Sequence, residues 1–241
     1  ATIRSSASSE SVINHFLDNP HQRVTVLGDN DAILGVIYSD DVLRILQEKE
    51  ASTLYDFAGV SNEETVFGSA KQKIKYRYKW LIINLATAFL ASFTVSLFDA
   101  TISKYVLLAV YMPIVAGMGG NAATQTLAVL VRGIALKQIE LSTALPALKK
   151  ELTAALVNGV INGVLVAGIV VLFNRDYAIA LVLAAAMIIN LLVAAFFGTL
   201  VPLVMAKLRK DPATSATIFI TTATDVLGFL VFLGLATLVL R

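Results

Sequence analysis

Five long apolar runs dominate the chain, at roughly residues 80–98, 105–131, 152–173, 178–206 and 213–240. Each has the roughly 20 residues that a helix needs to cross about 30 Å of hydrocarbon. The stretch before them is patterned differently. Residues 8–18 put Val12, Ile13 and Phe16 on one side of a helix that Ser8 or Ser9 can start. Residues 23–28 and 32–38 read as short strands joined by a turn at Gly28, Asp29, Asn30 and Asp31. Ser39, Asp40 and Asp41 then cap a helix continuing through Leu46. The pattern predicts a mainly α protein, with a small α/β domain (1–53), a connecting helix (54–79) and a five-helix transmembrane bundle (80–241).

Composition agrees with that division. Hydrophobic residues make up 57% of the chain and the mean hydropathy is +0.76, values of an integral membrane protein. A net charge of +2 gives no reason to expect a nucleic-acid partner. There is no cysteine, so disulfides and thiolate metal sites are excluded. The two histidines, His15 and His21, both lie before the spans, which argues against a zinc-type catalytic centre. The chain starts at Ala1 without a signal peptide and reads as though it enters a domain partway. A fragment, or a short member of a longer family, is expected.

The basic residues orient the spans. Lys71, Lys73, Lys75, Arg77, Lys79, Arg132, Lys137, Lys149, Lys150, Lys207, Arg209 and Lys210 flank one side, and only Lys104, Arg175 and Arg241 the other. Twelve against three predicts a cytosolic N-terminus and an external C-terminus. The run from Lys71 to Lys79 is then suited to anionic lipid headgroups. Residues 134–150 become a cytosolic loop, with an amphipathic helix at about 144–152.

Two features break the apolar pattern in ways that suggest chemistry. The second span carries Pro113, Gly117, Gly119, Gly120, Asn121, Thr124 and Gln125. Pro removes a backbone donor and Gly loosens a helix, so freed carbonyls lining a permeation path are expected here. Close packing of small residues is the plainer alternative. That plainer reading is preferred for Asn158, Gly159, Asn162 and Gly163 in the third span, and for Asn84 and Asn190. The fifth span carries Asp225, alone among seventeen acidic residues in lying well inside a span. A charge there costs roughly 2.5–3.5 kcal/mol on insertion scales and so points to function, against the alternative of a protonated structural Asp. Thr214, Thr217, Thr221 and Asp225 share one helical stripe. Hydroxyls, one carboxylate and backbone carbonyls are hard oxygen donors, suited to Mg²⁺ or Ca²⁺. One carboxylate is too few to enclose an ion, so a wide ring contacting a partly hydrated divalent cation is expected, with two copies of the chain around a symmetry axis.

The string Pro-Ile-Val-Ala-Gly-Met-Gly-Gly-Asn-Ala-Ala-Thr-Gln-Thr-Leu-Ala-Val-Leu-Val-Arg-Gly (113–133) closely resembles the signature of the MgtE family of magnesium channels. Gly35-Val-Ile-Tyr-Ser-Asp-Asp-Val-Leu (35–43) resembles a CBS domain. The MgtE resemblance implies Mg²⁺ as the ion and a homodimer in the bacterial inner membrane. It also implies a pore between the second and fifth spans of two protomers. It makes Asp225 the pore carboxylate, Gly117 and Asn121 pore-motif positions, and Asp211 an acid at the cytosolic mouth. Thr217 and Thr221 stand where Asn and a small residue are usual in the pore lining. Glu10 and Asp41 match acidic positions of a regulatory Mg²⁺ sensor. Arg44, Lys49, Ser52 and Thr53 stand where carboxylates are expected, and Glu48, Glu50 and Asp56 could compensate in a shifted register. Weak or differently wired Mg²⁺ gating is therefore expected. CBS domains often bind adenine nucleotides as pairs, and one is present here.

The leading reading is a Mg²⁺ channel. A transporter of Co²⁺ or Mn²⁺ and a membrane-anchored, nucleotide-sensing regulatory protein are the alternatives. An enzyme is not expected, because no nucleophile–base pair, phosphate loop or paired membrane carboxylates stand out.

Overall fold

The structure, a computed structural model, describes residues 1–18, 23–61 and 63–240, without the side chains of residues 10, 48–54, 56, 57, 214 and 215. Two compact units meet in sequence between Glu63 and Glu64.

The first unit is α/β. Strand β1 (Thr2–Arg4) leads through helix α1 (Ser9–Asp18) to β2 (Arg23–Leu27), with which it pairs in parallel, Ile3 opposite Val26. A hairpin then returns the chain to β3 (Ile33–Tyr38), antiparallel to β2, with Val24 opposite Ile37. Asp31 takes a left-handed backbone (φ 56°) in that turn, closed by the N–H of Gly28 donating to the carbonyl of Ala32 (2.9 Å). Helix α2 (Ser39–Ala58) follows at once. Val12, Ile13 and Val42 are buried together against Ile3, Phe16, Ile37, Ile45 and Leu46, so Val12, Ile13 and Phe16 share the face read from the sequence. Two differences emerge. Strand β1 is too short for its pattern to announce it. Helix α2 runs on through Leu46 to Ala58, past the boundary expected at residue 53, because residues 47–58 contain neither Gly nor Pro to end it.

The second unit is all helical. Helix α3 (Ala70–Ser96) is followed by short α4 (Asp99–Lys104), α5 (Leu107–Ala135), a 3-10 turn (Leu141–Thr143), α6 (Ala144–Asn174), α7 (Tyr177–Lys207) and α8 (Pro212–Val239). Five of them are long and apolar enough to cross a membrane, as expected. Residues 54–79 are not one connecting helix: α2 ends at Ala58 and α3 begins at Ala70. A capping box starts α3, with the Ser69 hydroxyl accepting from the N–H of Gln72 and the Gln72 side chain accepting from the N–H of Ser69. The helix expected at about 144–152 is simply the first part of α6.

Helix α7 is the hub and packs against α5, α6 and α8. Small residues set the spacing. A Cβ on Gly159 of α6 would lie 2.9 Å from the Cα of Ile188, and one on Gly163 3.0 Å from the carbonyl oxygen of Ala184. At one end of the bundle Leu108, Val170, Leu183, Phe232 and Leu233 are fully buried together. There Thr101 and Thr237 bond through their hydroxyls (2.8 Å) and the Tyr105 hydroxyl donates to the Leu240 carbonyl, so α5 and α8 run antiparallel. Helix α3 packs on α8 and leaves Leu81, Ile82, Leu85, Phe89 and Phe93 exposed. Lipid solvates such a surface without cost, which is why the hydrophobic effect does not require its burial.

Candidate cation pathway

Asp225 sits at the middle of α8, thirteen residues after Pro212 and fourteen before Val239. Its side chain is half-buried, and among the described residues nothing bonds to its carboxylate. The stripe below it is polar in a particular way. Thr217 donates its hydroxyl hydrogen to the Ala213 carbonyl (2.8 Å), and Thr221 to the Thr217 carbonyl (2.9 Å). Each hydroxyl oxygen is thereby left as an acceptor only. The waters around a cation point their hydrogens outward, so such oxygens fit a hydrated ion. Thr214 lies on the same stripe by sequence, but its side chain is outside the described residues.

Helix α5 runs unbroken from Leu107 to Ala135 through Pro113 and its glycines. This corrects the expectation that the helix is loosened, although Pro113 has no N–H to offer the Ala109 carbonyl. Packing against α7 and α8 holds the helix, and side chains donate to its carbonyls: Asn190 to Val115 (2.7 Å) and Thr124 to Gly120 (2.9 Å). The glycines divide into two sets. Gly119 is buried, and a Cβ there would run into the Asn190 side chain; a Cβ on Gly228 of α8 would lie 2.9 Å from the Asn190 Oδ1. Gly117 and Gly120 have open space instead. Asn190 is thus a fully buried wedge joining α5, α7 and α8, as the interhelical reading of its amide expected.

That wedge fixes depth. Val115, Gly119 and Gly228 are level with Asn190, and α5 and α8 are antiparallel, so Asp225, one turn before Gly228, is level with about Gly119 to Ala123. Asn121 therefore lies at the depth of Asp225. Gly117 and Asn121 are exposed on the face of α5 turned away from α7. Asp211 is elsewhere. It is exposed just before α8 and, at 1.5 Å per residue, roughly 20 Å along the helix from Asp225. The two acids do not form one site.

In the first unit the Asp41 carboxylate accepts from the N–H of Tyr38 (3.0 Å), holding the start of α2. The side chains of Glu10, Glu48, Lys49, Glu50, Ser52, Thr53 and Asp56 lie outside the described residues, as does His21 altogether. Asn158 is exposed, and Asn162 donates to its carbonyl within α6 (2.8 Å), so this pair does not bridge helices as its glue reading supposed. Polar bridges from α6 to α5 lie nearer its two ends instead: the Glu151 carboxylate accepts from the Thr126 hydroxyl (3.1 Å), and the Asn174 Oδ1 accepts from the Tyr111 hydroxyl. Glu151 falls just outside the span read from the sequence. The signal was its four-residue spacing from Ala155, Gly159 and Gly163, the stripe facing α7.

A family model described as MgtE, divalent cation transporter, matches residues 112–235. The chain is similar to three curated proteins named magnesium transporter MgtE. The one from Bacillus subtilis is 28% identical over 89% of this chain and 48% of its own. The one from Enterococcus faecalis is 31% identical over 96% of this chain and 51% of its own. The one from Thermus thermophilus is 24% identical over 99% of this chain and 53% of its own. The chain spans about half the length of these curated relatives.

Proposed function

Because the chain belongs to the MgtE family of divalent cation transporters, we propose that it carries partly hydrated Mg²⁺ across a membrane, through a pore between α5 and α8 of two protomers. The observation that carries this reading is Asp225: a half-buried carboxylate at the centre of a membrane helix, unbonded among the described residues. An uncompensated charge there is costly, and an ion that compensates it accounts for its presence. The curated relatives, named as magnesium transporters, favour Mg²⁺ over Co²⁺ or Mn²⁺.

In this pathway Asp225 supplies charge, and Thr217 and Thr221 accept hydrogen bonds from the ion's waters. Mg²⁺ gives up water reluctantly, so contact through waters avoids the full dehydration cost. A second protomer supplies the second carboxylate. The uncovered face of α5 with Gly117 and Asn121 supports a homodimer, because a polar amide facing lipid is unfavourable. Asp211, at the start of α8, is the acid at the mouth, on the cytosolic side by the excess of basic flanks.

Regulation by Mg²⁺ is proposed to be weak or differently wired. Asp41, a candidate sensor acid with Glu10, is engaged in holding α2, and Arg44 on the same helix stands where the family resemblance implies a carboxylate. An adenine nucleotide at the CBS-like unit remains part of the proposal for the whole protein.

The test is Mg²⁺ influx in cells lacking other Mg²⁺ uptake, comparing the chain with Asp225→Asn and Asp225→Ala. Uptake by the parent and its loss in both variants, at equal membrane levels, is the expected result. Normal uptake by the variants would overturn the assignment.

A further inference from the structure

The second unit contains a cleft of about 560 Å³ that the cation pathway does not use. It lies where α5 and α7 end and the 3-10 turn leads into α6. Its walls are apolar: Leu203 is fully buried, with Ile134, Ile139 and Leu141 packed around it. Its rim carries the exposed Lys137 and Lys207, and Arg209 and Lys210 follow directly. Among the described residues, Glu140 is the only acid in the lining. The ends of two membrane helices put this cleft at the boundary between hydrocarbon and water. An apolar wall under a cationic rim at that boundary has the form of an amphiphile with a negative head.

The helix ends add a second observation. Helices α5 and α7 stop in the same hydrogen-bonded motif: Gln138 N–H donates to Gly133 and Lys137 to Ile134; Lys210 donates to Met205 and Arg209 to Ala206. The residue after each cap is left-handed, at φ 55° and 56°. Glycine is the unstrained choice there, yet Lys137 and Arg209 occupy it. A basic side chain is kept at a position where backbone conformation favours having none.

We propose that this cleft binds an anionic glycerophospholipid, its phosphate between Lys137 and Lys207 and its upper acyl carbons against Leu203, Ile134 and Ile139. The volume falls within the range of small-molecule pockets and takes a headgroup with the start of its chains. This inference rests on the membrane helices and not on which ion is carried.

The experiment is native mass spectrometry of the purified full chain in micelles with phosphatidylglycerol or phosphatidylcholine. The parent should retain phosphatidylglycerol in preference to phosphatidylcholine. Lys137→Gly combined with Lys207→Gln should lower that retention about tenfold or more, from two surface cations. Ala206→Trp, which fills the cleft, should abolish it. Should the double variant fail to fold, Lys137→Gly alone, which relaxes the backbone, should still lower retention about threefold. Unchanged retention in the variants, equal retention of both lipids by the parent, or displacement by soluble glycerol phosphate would each overturn the proposal.

Discussion

At the scale of single residues, the glycines of α5 separate fold from function. Gly119 and Gly228 are small because Asn190 lies between them, and the buried amide donates to Val115. Gly119→Ala should destabilise the bundle by about 1–3 kcal/mol, the usual cost of overpacking. Gly117→Ala meets open space and should be neutral or stabilising by up to about 1 kcal/mol through helix propensity. Thermal melts in detergent check both. If Gly117 lines the pore of a dimer, the same variant should nevertheless reduce Mg²⁺ influx. A stable protein with unimpaired influx would remove Gly117 from the pathway. The sequence marks these glycines as unusual, but not which of them a neighbour fills, since that depends on where α7 places Asn190.

At the scale of elements, the start of α3 is held by a contact the sequence conceals. Glu64 is buried, and Arg77 bonds its carboxylate through Nε (3.1 Å) and Nη2. That hydrogen bond outweighs the opposing effect of burial and, with the charges of Arg77 and Lys73 adding to it, holds the Glu64 carboxyl below its ordinary value of 4.5. A lowered carboxyl stabilises the fold fully above that ordinary value, and the contribution is lost as pH falls through the lowered one. Residues 63–69 should therefore become more open to proteolysis as the pH is taken down below the ordinary carboxyl value, and Glu64→Gln should remove that dependence. Arg77 thus leaves the basic run expected to meet lipid headgroups, and Lys73 is engaged with the Val66 carbonyl (2.9 Å). Only their charge and spacing are visible in the sequence. Their partners lie seven and thirteen residues away, across a turn without a periodic pattern.

At the scale of the molecule, the two units are compact in themselves, and Asp225, Asn121, Gly117, Thr217 and Thr221 all belong to the second. A chain of residues 64–241 should insert, melt cooperatively and keep Asp225-dependent Mg²⁺ influx in the same cells. Loss of influx from a well-folded truncated chain would show that the first unit is needed for conduction.

The sequence by itself determined the number of membrane helices, the α/β character of the first unit and the singular position of Asp225. Each is written in local hydrophobicity, period or charge, which act over a few turns of chain. It also carried the family signature. Tertiary structure alone decided that α5 stays continuous, because packing on α7 and α8 outweighs the local weakness of Pro and Gly. It decided that Asn190 is a wedge while Asn158 faces outward, and that Asp211 and Asp225 stand apart. It set Asn121 level with Asp225, because depth in a bundle follows from which helices run antiparallel and where small residues let them meet.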